Sequence, residues 1–141
     1  MQRHFATYTD TRTHLRRAFD AAESGLTVIA ERDDVRFVLV EAQNLRPLLA
    51  QACISNAEVV AEGGGWSAFL PGVPVSGEGS DLDEATDDLI DALRDYADDW
   101  NDHLSDAPNH AQHRALVTFV ELSSDDELRA WISAPVPTGA Q

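Results

Sequence analysis

Residues 80–104 constrain the fold most. Leu82, Ala85, Leu89, Leu93, Tyr96, Trp100 and Leu104 recur at steps of three and four, the spacing that lines one face of an α-helix. The opposite positions carry Asp87, Asp88, Asp91, Asp95, Asp98, Asp99 and Asp102. Ser80 is placed to cap this helix, because its hydroxyl can accept from the free amides of the first turn. Asp83 and Glu84 suit the positive end of the helix dipole. Such a helix must lay its apolar side on a core and leave the other side for water or for a cationic partner.

Upstream, residues 1–53 predict helix, hairpin, helix. Asp10 or Thr11 can cap a helix whose Leu15, Ala18, Phe19 and Ala22 form an apolar face, and Gly25 stops it. Leu26 to Ala30 predicts a strand, Asp33-Asp34 a turn, Phe37 to Val40 the returning strand, and Ala42 to Cys53 a helix presenting Leu45, Leu48 and Leu49. In residues 54–134, Ala57 to Glu62 and Trp66 to Leu70 predict strands joined at Gly63-Gly64-Gly65. Val73 to Ser76 gives a short third strand before the long helix. Ala115 to Glu121 predicts another strand, and Ser124 caps a last helix through Trp131 and Ile132. Residues 135–141 are expected to be a loose tail. The fold class is α+β: an α-β-β-α unit followed by a β-β-β-α-β-α unit.

The charge is divided between these units. The chain of 141 residues has a formal net charge of −15, and its ten basic side chains are all arginine. Residues 1–50 hold seven arginines (3, 12, 16, 17, 32, 36 and 46) and seven acids, so they sum to zero. Residues 51–141 hold three arginines and eighteen acids and carry the whole excess. Such asymmetry points to two surfaces with different partners. Cys53 is the one cysteine, so no internal disulfide forms. With no signal-like N-terminus and no bilayer-length apolar run, the cytoplasm is expected and a membrane is not.

Two family resemblances lie along the chain. Residues Tyr8-Thr9-Asp10-Thr11-Arg12-Thr13-His14-Leu15, then Gly25, Leu26 to Ala30 and Phe37-Val38-Leu39-Val40 resemble the Phd/YefM (prevent-host-death) antitoxin domain. From Glu58 to Val120 the chain resembles HicB-type antitoxin domains, which share a degraded ribonuclease-H-like core. There the matching residues are Trp66-Ser67-Ala68-Phe69-Leu70-Pro71-Gly72-Val73, Gly77, and Ser80-Asp81-Leu82-Asp83-Glu84-Ala85. The two together imply the antitoxin of a toxin–antitoxin pair: a homodimer that binds operator DNA and a cognate toxin, with no cofactor. A dimer also suits the small apolar content of the first fifty residues.

The Phd/YefM resemblance implies a DNA contact at Arg12. Arginine supplies both a cation for phosphates and a planar donor for base edges. Arg16, Arg17 and Thr11 share the predicted helix with it, and Arg3 could reach the backbone as an N-terminal arm. The family places a further arginine at the start of its hairpin. Here Glu31 occupies that position and Arg32 follows it, a departure from the pattern.

For the toxin, expected to be small and basic, an acidic surface provides steering and partner choice. Asp91, Asp95, Asp98, Asp99 and Asp102 supply the charge; Trp66, Phe69, Trp100 and Trp131 are candidate anchors. The plain alternative makes the tryptophans core residues and the aspartates a solvated face. Two other functions compete: an interaction module of the same fold without DNA binding, and a metal-dependent hydrolase built on Asp95, Asp99, Asp102 and His103.

Overall fold

The computed structural model describes residues 3–5 and 7–134; for Tyr8 and Thr11 it describes the backbone alone. Residues 135–141, where a tail is expected, lie outside the described residues. The described residues are α+β, with two three-stranded sheets among them, and the chain divides into units Met1–Leu48 and Leu49–Gln141.

In the first unit a short β1 (His4–Phe5) precedes helices α1 (Tyr8–Thr13) and α2 (Leu15–Glu23), strands β2 (Val28–Arg32) and β3 (Val35–Leu39), and the start of α3 (Ala42–Ala52). β2 and β3 form an antiparallel hairpin in which Arg32 pairs with Val35. Its two loop residues, Asp33 and Asp34, have φ of 52° and 67°. That left-handed pair matches the natural twist of a tight hairpin, and a short polar side chain tolerates it. β1 adds in parallel to β2, a strand that the hydrophobic pattern does not announce.

The first helix departs from expectation in three ways. Its cap is Thr7, whose hydroxyl accepts from the Asp10 amide at 3.0 Å. It breaks at His14, with φ −113° and ψ 29°, into two segments. And the buried face of α2 is Ala18, Ala21 and Ala22, while Leu15 and Phe19 are 48% and 50% exposed. Three alanines let α2 approach the sheet closely, against Phe5 and Val28. The bulkier Leu15 and Phe19 lie on the flank of that stripe.

The second unit opens with β4 (Glu58–Glu62), β5 (Gly65–Phe69) and β6 (Ser76–Gly79), antiparallel in that order. Gly63 and Gly64, at φ 58° and 83°, make the tight turn between β4 and β5. α4 (Leu82–Asp99) follows, running into a π-helical turn (Trp100–Leu104), and then α5 (Arg114–Glu121) and α6 (Asp125–Ser133). The N-cap of α4 is Asp81, which accepts from the Glu84 amide; Ser80 instead binds the Glu84 carboxylate. α4 lies directly on β6 because Gly77 has no Cβ: one built there would overlap the backbone of Ala85 and Leu89.

The segment 115–121 is a helix, correcting the expected strand. Leu116, Val117, Phe119 and Val120 are all buried. A strand would point Val117 and Phe119 one way and Leu116 and Val120 the other. A helix turns all four onto one side, against α4 and α6. The second unit is therefore β-β-β-α-α-α.

Candidate partner-binding surfaces

Arg12 lies in the last turn of α1, and Arg16 and Arg17 in the first turn of α2, so the His14 break falls between them. All three are exposed, and among the described residues no carboxylate pairs with them. Of Thr11 only the backbone is described, so its expected contact lies outside the described side chains. The carbonyl of Arg3 accepts from the Ile29 amide at 2.7 Å, which sets this residue beside the start of β2. Arg32 closes the same strand, its guanidinium 5.7 Å from the centre of the Phe37 ring. A strand rises about 3.3 Å per residue, so Arg3 and Arg32 stand about 13 Å apart along β2. Arg36 lies 3.9 Å from Glu31, the acid standing where the family pattern expects arginine.

The same unit exposes much apolar surface. Besides Leu15 and Phe19, Val35, Phe37, Val38 and Leu48 are 47–68% exposed. The buried core beneath comprises Phe5, Ala18, Ala21, Ala22 and Val28.

In the second unit the apolar and acidic sides of α4 separate as the periodicity predicts. Ala85, Leu89, Ile90, Leu93, Tyr96 and Ala97 are buried, and every aspartate on the other side is exposed. Two of those aspartates have local work. Asp87 pairs with Arg129, and Asp88 accepts from the Glu78 amide at 2.9 Å. Asp91, Asp95, Asp98, Asp99 and Asp102 have no cationic partner among the described residues. Their positions form a stripe about 16 Å long.

The candidate anchors differ from one another. Trp66 is 38% exposed on the α4 side of β5, and Phe69 is half-buried on the opposite face of that strand. Trp131 packs its ring 5.1 Å from Phe119 and donates its indole N–H to the Cys53 carbonyl at 2.7 Å. Trp100 is 3% exposed, donates to the His110 carbonyl at 2.8 Å and lies under the Arg114 guanidinium. It belongs to the core and offers no outer surface, as the plain alternative held.

The residues proposed for a hydrolase do not gather. Among the described residues no three His, Cys, Asp or Glu side chains converge as metal ligands would. His110 and His113 turn to the Tyr96 hydroxyl instead, with Nδ1 at 2.8 and 2.7 Å. Burial raises the Tyr96 phenol above its ordinary value, and likewise the Cys53 thiol. A thiol so shifted is a poor nucleophile. Sequence patterns did not single out Arg94, whose guanidinium binds the end of α5 and the start of α6. A lone arginine amid aspartates on α4 was the available signal.

No sequence family matches the chain, and no curated protein does. Among solved structures it is similar to a crystal structure described as the antitoxin part of a candidate toxin/antitoxin system from Syntrophomonas wolfei subsp. wolfei. The two share 23% sequence identity and superpose with a TM-score of 0.76, over 93% of this chain and 96% of that one. The α+β fold is thus shared with that protein. Among the described residues no helix is long and apolar enough to cross a membrane.

Proposed function

We propose that the chain is the antitoxin of a type II toxin–antitoxin pair, a non-enzymatic cytoplasmic protein that neutralises a basic toxin by direct contact and represses its own operon. The observation that carries this is the separation of charge: exposed arginines on α1 and α2 that have no carboxylate partner among the described residues, and an exposed aspartate stripe on α4. The fold shared with the Syntrophomonas protein supports the same function.

The first unit acts as a Phd/YefM-like homodimer, joined through its exposed apolar side chains, and contacts operator DNA through Arg12, Arg16 and Arg17, with Arg3, Thr11 and Arg32 as further donors. The second unit is HicB-like, the resemblance running from Glu58 to Val120. It meets the toxin through Asp91, Asp95, Asp98, Asp99 and Asp102, with Trp66, Phe69 and Trp131 as further candidate contacts elsewhere on the unit and Trp100 holding α4 in place from beneath. Toxin bound to the dimer would raise operator affinity by avidity.

Two measurements test this. The product of the adjacent reading frame should co-purify with the chain and lose its activity. In a gel shift with the upstream promoter, Arg12→Ala should weaken binding and reduce the salt dependence by about one counterion. The net charge of −15 favours one alternative, a toxin-binding module that has lost DNA. Absence of any shift at low salt, with toxin capture intact, would establish that alternative.

A further inference from the structure

β4 is a terminal strand of its sheet, and among the described residues no strand pairs with its other edge. The two-residue turn closes on Glu62 and Gly65, which in this hairpin type is a hydrogen-bonded pair. Ladder bonds alternate along an antiparallel pair. Glu58, Val60 and Glu62 therefore bond to β5, while the N–H and C=O of Val59 and Ala61 face the open edge.

The side chains on either side of that edge differ in chemistry. Val59 and Ala61 pair with Ala68 and Trp66, so they stand on the α4 side. There a groove of about 460 Å³ runs beside the strand, lined by Ala57, Val59, Leu82 and Ile132, with Asp83 and Arg129 also on its wall. Glu58, Val60 and Glu62 stand on the opposite face with Phe69. Val59 and Val60 are 45% and 46% exposed, and Leu82 is 44% exposed.

We propose that this edge accepts an extended segment of a cationic protein as a fourth strand of the sheet. This rests on the antitoxin function above and names the element on which the partner docks. The backbone of Val59 and Ala61 supplies the ladder bonds. Every second residue of the added strand is apolar and fills the groove beside Val59 and Leu82. The residues between are basic and lie next to Glu58 and Glu62.

Charge selects that occupant over a second copy. Two β4 strands paired antiparallel about Val60 would set Glu58 opposite Glu62 twice, and like charges directly opposed destabilise a ladder. The glutamates at either end of the strand thus discourage self-pairing and suit arginine or lysine. The chain's own last residues make poor ladder donors, because Pro135 and Pro137 have no N–H.

The test uses the full chain, labelled with nitrogen-15, and two short peptides of equal composition. In one, valine and arginine alternate; in the other they form two blocks. The alternating peptide should shift the Val59 and Ala61 amides and slow their hydrogen exchange about tenfold, and the block peptide should do neither. Ala61→Pro removes an edge-facing N–H and should weaken binding about tenfold. The double variant Glu58→Arg, Glu62→Arg leaves the backbone unchanged and should weaken it similarly, which keeps the test decisive if the proline variant does not fold. Equal responses to both peptides, or shifts confined to Asp91–Asp102, would overturn the proposal. The protein encoded next to this chain separates the two levels. If it binds both variants as tightly as the unaltered chain, the edge proposal fails and the antitoxin function stands. If it binds none of them, the antitoxin function falls and the peptide result alone decides the edge.

Discussion

Arg94 Nη1 donates to the carbonyl oxygen of Val120 at 2.6 Å, bridging 26 positions of sequence. Its Nη2 reaches the Ser123 carbonyl and the Asp125 carboxylate, both at 2.8 Å. One guanidinium thereby satisfies carbonyls left over where α5 ends and a carboxylate where α6 begins.

Replacing Arg94 should cost stability. The side chain is one-third exposed, so Arg94→Ala is expected to lose about 1–2 kcal/mol, at the lower end for charged hydrogen bonds. Arg94→Lys should recover less than half, because an ammonium lacks the planar fork. Urea denaturation measures both; an unchanged midpoint for the alanine variant would show that the bonds contribute nothing net.

Gly77→Ala should be more damaging than any surface change. The added Cβ would sit 2.8 Å from the Asp88 carbonyl carbon and closer still to the Ala85 and Leu89 backbone, so α4 must move off β6. A loss of about 3 kcal/mol is expected, the upper range for overpacking. Gly63→Ala meets open space and should cost only about 1 kcal/mol for its left-handed backbone. Thermal melts of the two variants should preserve that order.

The Glu84 carboxyl is held below its ordinary value of 4.5, first by the Ser80 hydroxyl and then by the Ser80 amide. A lowered folded value means that the contribution to stability is present above the unfolded value. It is lost as acid titrates the group through the folded value. Ser80→Ala should therefore raise the Glu84 midpoint in a carbon-13 titration and lessen the acid dependence of unfolding. A midpoint that stays put would assign the shift to the amide alone.

Asp91, Asp95 and Asp98 repel one another along one side of α4. Changing all three to asparagine should raise stability by about 0.2–0.5 kcal/mol for each relieved close pair. It should also slow association with a basic partner at low salt, with the difference fading as salt screens it. A faster association after neutralisation would place the partner elsewhere.

The sequence reveals α4 well because a single period of 3.6 governs eighteen residues, and its buried positions are Ala85, Leu89, Leu93 and Tyr96 as that period requires. Val117, Phe119 and Val120 mislead because β-branched and aromatic residues favour strands when taken locally. Their tertiary setting reverses the preference: Arg94 caps the segment's end, and Asn101 donates to Glu121 at 2.8 Å. Leu15 and Phe19 mislead differently. Their size marks them as core in a solitary chain, whereas the alanines beside them make the closer contact with the sheet. A lining residue such as Val59 gave no warning at all, because an edge strand's open side is a property of sheet order and not of composition.

The Tyr96 oxygen stands between the Nδ1 atoms of His110 and His113, and a phenol has a single proton to give. Only one imidazole can receive it, so the other must carry hydrogen on the nitrogen it presents. Two side chains of the same kind are thereby made inequivalent by one atom.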